Sequence, residues 1–124
     1  MTEEVRRYDP AREYFTEEQC FINELENTER QQALSIARAR VTPGVTTRWH
    51  RLSGITERYV ILEGTGTVEA GGLKQAVGPC DVVVIPPGCR QRIRNDGDSD
   101  LVFLAICTPR FTLEAYQELS PSQA

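Results

Sequence analysis

The sequence predicts an all-β domain, an antiparallel sandwich or small barrel. Three observations carry this. Short alternating or continuous apolar runs recur between Phe21 and Cys107. Turn signals separate them, at Thr42-Pro43-Gly44, Ser53-Gly54, Gly71-Gly72, Gly78-Pro79 and Pro86-Pro87-Gly88. No long stretch keeps a helical apolar period. Many short strands punctuated by glycine and proline are the pattern of antiparallel sheets that close on one another.

A chain of 124 residues makes one domain with one core. Its formal net charge of -4 argues against nucleic acid and anionic membranes as partners. The opening MTEEVRRYDP has no apolar run after its charges, which predicts no signal peptide and a cytoplasmic protein. No segment approaches the roughly 20 apolar residues of a membrane span. Cys20, Cys80, Cys89 and Cys107 form no CxxC element. Outside a secretory setting they read as buried free thiols, with Cys89 or Cys107 as candidates for a place near a pocket.

Residues 1–20 read as a polar arm broken by Pro10, in which Thr16-Glu17-Glu18-Gln19 suits a capped helical turn. Residues 21–110 carry the barrel. Residues 21–25 form an edge strand. In Ser35–Val41, Ala37, Ala39 and Val41 face a core while Arg38 and Arg40 face out. Alanine and arginine are also good helix formers, but the Thr-Pro-Gly stop favours a strand. Residues 46–52 put Arg48, His50 and Leu52 on one face and Trp49 on the other. Residues 57–63 put Glu57, Tyr59 and Ile61 on one face. Residues 67–70 and Leu73–Val77 form a hairpin around Gly71-Gly72. Residues 81–85 are almost wholly apolar, which predicts cover on both faces. The bend at Pro86-Pro87-Gly88 is rigid. It aims residues 89–95, with Cys89, Gln91 and Ile93 pointing one way and Arg90, Arg92 and Arg94 the other. These three arginines, with Arg38 and Arg40, read as a basic outer stripe with acidic partners across the strands. Residues 96–100 are a polar turn without the closing glutamate of a calcium loop. Residues 101–107 form a central apolar strand. Residues 111–124 are a C-terminal extension and tail, with one or two helical turns ended by Ser120-Pro121.

The chemistry concentrates between Pro43 and Gly64, in PGVTTRWHRLSGITERYVILEG. It holds the single histidine, His50, and a carboxylate, Glu57, beyond a short loop. A hairpin places such residues side by side. Inside a barrel the pair makes a site; inside a sandwich it makes a buried structural pair. Gly44, His50, Glu57 and Gly64 match the first motif of the cupins: glycine, five residues, histidine, one residue, histidine, three or four residues, glutamate, six residues, glycine. Leu52 stands at the second histidine. Pro86, Gly88 and Asn95 match the second motif, with Cys80 at its glycine and Gln91 at its histidine. The chain therefore resembles a small single-domain cupin.

That resemblance implies a jelly-roll barrel, the antiparallel double-stranded β-helix. It also implies a divalent metal (iron, manganese, zinc or nickel) held by His50, Glu57 and Gln91. Leu52 offers no donor, and the Gln91 carbonyl oxygen is a weaker ligand than imidazole. Glu57 is the candidate ligand or base. Tyr59 is the candidate proton relay or substrate contact. Arg48 is the candidate clamp for a carboxylate or phosphate. The implied activities are those of a dioxygenase, isomerase or lyase on a small organic molecule. A non-catalytic ligand-binding or sensor module, and a structural or partner-binding protein, are the alternatives. A homodimer is expected through an outer surface of Phe21, Ile22 and Trp49.

Overall fold

The computed structural model describes residues 2–124. Its strands are β1 (Tyr14–Phe15), β2 (Phe21–Glu26), β3 (Ser35–Val41), β4 (His50–Leu52), β5 (Thr56–Glu63), β6 (Gly66–Ala70), β7 (Leu73–Val77), β8 (Val82–Ile85), β9 (Gln91–Asn95), β10 (Leu101–Thr108) and β11 (Tyr116–Glu118). They make two sheets, in the orders β1-β2-β3-β10-β5-β8 and β11-β4-β9-β6-β7. Every pairing between these strands is antiparallel. This is the all-β double-stranded β-helix that the motifs imply. No helix among the described residues is long and apolar enough to cross a membrane.

Alternate residues fill the space between the sheets. Val41 on β3, Ile61 on β5, Ile93 on β9 and Leu101 on β10 are fully buried there, joined by Val68, Ile85 and Phe103. A second, smaller cluster of Leu52, Ile55 and Cys107 packs with Phe111, Ala115 and Tyr116. Gly64 turns the chain out of β5 at φ +83°, and a Cβ there would stand 2.7 Å from the Asp100 carbonyl oxygen. Only glycine meets both demands.

Several elements depart from expectation for physical reasons. β2 is not an edge, because β1 pairs outside it. β10, by contrast, is central as expected, between β3 and β5. β8 is covered on one face only: Val83 and Ile85 are buried, while Val82 and Val84 are 55% and 54% exposed. An apolar run does not reveal that its strand ends a sheet. The C-terminal segment makes one 3-10 turn, Leu113–Ala115, and then becomes β11, paired with β4.

The strand expected over residues 46–52 is regular only from His50. Thr47 spends both backbone and hydroxyl on Ile93, and the Arg48 amide donates to the Glu18 carbonyl. Thr47 and His50, three apart, are consequently both buried. The slip turns Arg48 outward, where it pairs with Glu118 at 3.2 Å. The arginines occupy two separate faces rather than one stripe, since Arg38 and Arg40 lie on β3 and Arg92 and Arg94 on β9 of the other sheet. Their acidic partners are present: Glu13 and Asp100 for Arg40, Glu69 for Arg92, Asp96 for Arg94. Trp49 is half-buried between the guanidinium groups of Arg90 and Arg92, 4.6 and 4.3 Å from its ring. Phe21 lies under Arg40 and against Phe15, and Ile22 packs on the core. The chain's own residues thus cover much of the outer surface assigned to dimerisation.

Candidate active site

Glu57 is the second residue of β5 and points into the barrel. Cys107 stands opposite it in register on β10 and donates its thiol proton to Glu57 Oε2 at 3.8 Å. Oε1 is buried and has no hydrogen-bond partner. Two residues along the same face, the Tyr59 hydroxyl donates to Gln91 Oε1 at 2.5 Å. Gln91 belongs to β9, so this bond ties one sheet to the other.

His50 pairs in register with Gln91 on β4 and β9. The expected side-by-side hairpin of His50 and Glu57 is not formed. β4 and β5 enter different sheets, and the two side chains approach the site from opposite sides of the barrel. His50 Nδ1 lies 3.0 Å from the Arg48 carbonyl oxygen and 3.3 Å from Glu18 Oε2. Both neighbours accept, so Nδ1 carries a proton and Nε2 is the ring nitrogen left without a partner among the described residues. Tyr116 stacks on the imidazole with centroids 5.3 Å apart.

Burial pushes the Glu57 carboxyl up from 4.5 to about 7. The Glu18 carboxylate adds to the rise, while His50, the Gln91 amide and the Cys107 thiol oppose it. Burial also raises the Tyr59 phenol and the Cys20 and Cys107 thiols, so neither thiol is a ready nucleophile.

A cavity of about 340 Å³ reaches Glu57 and Cys107. Glu24, Ile36 and Ala105 form part of its wall, and both chain flanks complete it: Glu17 and Glu18 on one side, Phe111, Leu113 and Tyr116 on the other. His50, Tyr59 and Gln91 stand behind this wall, and Arg48 is exposed outside it. The structure therefore brings together His50, Glu57, Tyr59 and Gln91 and leaves Arg48 apart. Glu18 and Tyr116 escape the sequence reading. They come from irregular flanks, and only their proximity to His50 in three dimensions gives them a place here.

The metal set implied by the motifs would be His50, Glu57 and Gln91. The Gln91 carbonyl oxygen is already engaged by Tyr59, and Leu52 is buried in an apolar cluster. Among the described residues, no group of three or more His, Cys, Asp or Glu side chains is placed to hold a metal ion. His50 Nε2 and the Glu57 carboxylate remain, short of the three or four protein ligands of a transition-metal site. This donor set does not fit a resident metal.

Two facing sheets with a cavity at one end, floored by a buried carboxyl, define a small double-stranded β-helix barrel. The chain belongs to the cupin family: the Cupin domain model matches residues 37–107. An uncharacterized protein of Methanocaldococcus jannaschii is 32% identical over 109 residues, covering 86% of this chain and 87% of that protein. An oxalate-binding protein of Thermotoga maritima is 33% identical over 75 residues, 60% of this chain and 62% of that one. Among solved structures, the Streptomyces nucleoside dehydratase Pac13 superposes with a TM-score of 0.76 at 13% identity, over 94% of this chain and 92% of that one. At that identity the likeness is one of fold.

Proposed function

We propose that this cupin moves a proton on a small organic molecule bound in the cavity, without a resident metal, in an isomerisation or an elimination. The observation that carries the reading is Glu57 Oε1, a buried carboxyl oxygen without a partner at the cavity wall. With its pKa raised to about 7, Glu57 is populated in both forms at neutral pH, as a general acid–base requires. Cys107 occupies Oε2, which leaves Oε1 to take the proton. The Tyr59–Gln91 bond holds the amide beside Glu57, and His50 favours the ionised form. A carbon–hydrogen bond beside a carbonyl breaks, its proton passes to Oε1, and its electron pair forms a carbon–carbon double bond as the carbonyl π pair moves to oxygen (isomerisation) or as the neighbouring carbon–hydroxyl bond breaks (elimination). In an isomerisation the proton returns to another atom of the substrate. In an elimination it leaves with the departing hydroxyl as water. Oxygen insertion would need a metal that the donor set does not fit, so the dioxygenase expectation drops behind the isomerase and lyase ones. Pac13, named as a nucleoside dehydratase, offers an elimination on the same fold.

Deuterium incorporation tests this. A panel of carbonyl and hydroxy compounds, with and without amino groups and including uridine, is incubated with protein in D2O and followed by NMR. Wild type should wash deuterium into a bound member of the panel, and Glu57→Gln should not. Binding with no exchange, or equal exchange by the variant, returns the protein to a non-catalytic binding role. Titration with manganese, iron(II), zinc and nickel accompanies it; tight binding lost on His50→Ala would restore the metal.

A second copy of the chain is the partner the fold suits. β8 ends its sheet with Val82 and Val84 exposed, and a symmetric pair would cover both edges. Sedimentation giving only monomer at micromolar concentration counts against the dimer.

A further inference from the structure

We infer that the ligand of this cavity is an organic cation, a protonated amine carried on an apolar body. The inference rests on the cavity being the binding site, as proposed above, and adds the class of molecule it takes.

The first observation is a one-sided charge distribution. Glu17, Glu18, Glu24 and Glu57 line the cavity, and no lysine or arginine does. Elsewhere several acids lie against arginines: Glu13 meets Arg40, Glu69 meets Arg92 and Asp96 meets Arg94. Among the described residues, Glu17, Glu24 and Glu57 have no basic partner, and Glu18 has only His50. The carboxylates left without a lysine or arginine thus include all four that face the cavity.

The second observation is independent of the first. Glu57 is 8% exposed, and its Oε1 makes no hydrogen bond, the Gln91 amide lying near the carboxyl without reaching bonding geometry. A buried acceptor left unpaired costs about 1–3 kcal/mol. An ammonium N–H supplies a donor and charge together, and such charge-assisted bonds are about twice as strong as neutral ones. The remaining wall suits the other end of the molecule. Phe111 and Tyr116 put aromatic rings on the wall, where a cation is favoured, and Ile22 and Ile36 add apolar cover for its body. An oxalate-like dianion meets only like charge here.

Isothermal titration at about pH 8 with three probes of one shape tests the inference: phenethylamine, 2-phenylethanol and phenylacetate. The amine should bind about tenfold tighter than the alcohol, and phenylacetate should not bind at millimolar concentration. Glu57→Gln should remove most of that preference. Glu24→Gln, at a half-buried position on the wall, should reduce it by a smaller factor and serves if the first variant does not fold. Equal binding of amine and alcohol, a preference that survives both variants, or no cation binding at millimolar concentration overturns the inference. Amine binding without deuterium exchange on any ligand keeps the cation and removes the proton transfer. Exchange on a neutral ligand with no amine preference does the reverse.

Discussion

Glu57→Gln deletes one titrating group from the barrel and nearly keeps its shape. Burial pushes this carboxyl from an ordinary 4.5 to about 7 in the folded protein. Between those two values the folded chain keeps a proton that the unfolded chain has released. Stability therefore falls as pH rises from about 4.5 to about 7, and this contribution is flat on either side. Each pH unit in that window costs about 1.4 kcal/mol, so full ionisation costs roughly 3 kcal/mol. Glutamine does not titrate and escapes the loss. Urea unfolding of both proteins, followed by Trp49 fluorescence from about pH 5 to about pH 8.5, reads the difference, and groups common to both proteins largely cancel. The variant should gain roughly 2–3 kcal/mol on wild type across that range. Parallel stability curves would refute the buried, proton-loving carboxyl. A difference of opposite sign would mean that the folded protein stabilises the Glu57 anion.

Other substitutions probe the framework around that carboxyl. Tyr59→Phe leaves the Gln91 carbonyl oxygen without its donor and should cost about 1–3 kcal/mol in the same unfolding assay. Cys80, where the cupin motif has glycine, sits at φ +73°. Cys80→Gly should stabilise the fold by about 0.5–1 kcal/mol, the left-handed strain relieved less the extra freedom given to the unfolded chain. Gly64→Ala forces a Cβ against the Asp100 carbonyl and should lower stability by more than about 2 kcal/mol, read as a lost or shifted melting transition.

The barrel was legible because period-two alternation and glycine spacing are local signals. They placed Glu57, Tyr59 and Ile61 on the inner face of β5, and Gln91 and Ile93 on that of β9. They misplaced Arg48, because three residues of irregular backbone before His50 break the alternation. They could not assign sheets: a short loop between His50 and Glu57 reads as a hairpin, yet the strands diverge into opposite layers. Val82 and Val84 look like core, because burial depends on what lies outside the sheet edge. Glu18 and Tyr116 were beyond reach for a different reason. Each touches His50 across a long stretch of chain, and neither belongs to a motif.

The family match spans residues 37–107, while much of the cavity wall comes from outside that span: Glu17, Glu18 and Glu24 before it, Phe111, Leu113 and Tyr116 after it. If the cavity holds the ligand as proposed, the barrel acts as a socket with fixed chemistry, and chain outside the family span shapes the mouth of that socket. Two cupins sharing every barrel residue named above would still select different molecules if their flanks differed. Exchanging residues 14–18 and 111–116 between relatives is accordingly a route to a new ligand, with the small cluster of Leu52, Ile55 and Cys107 repacking against the incoming flank.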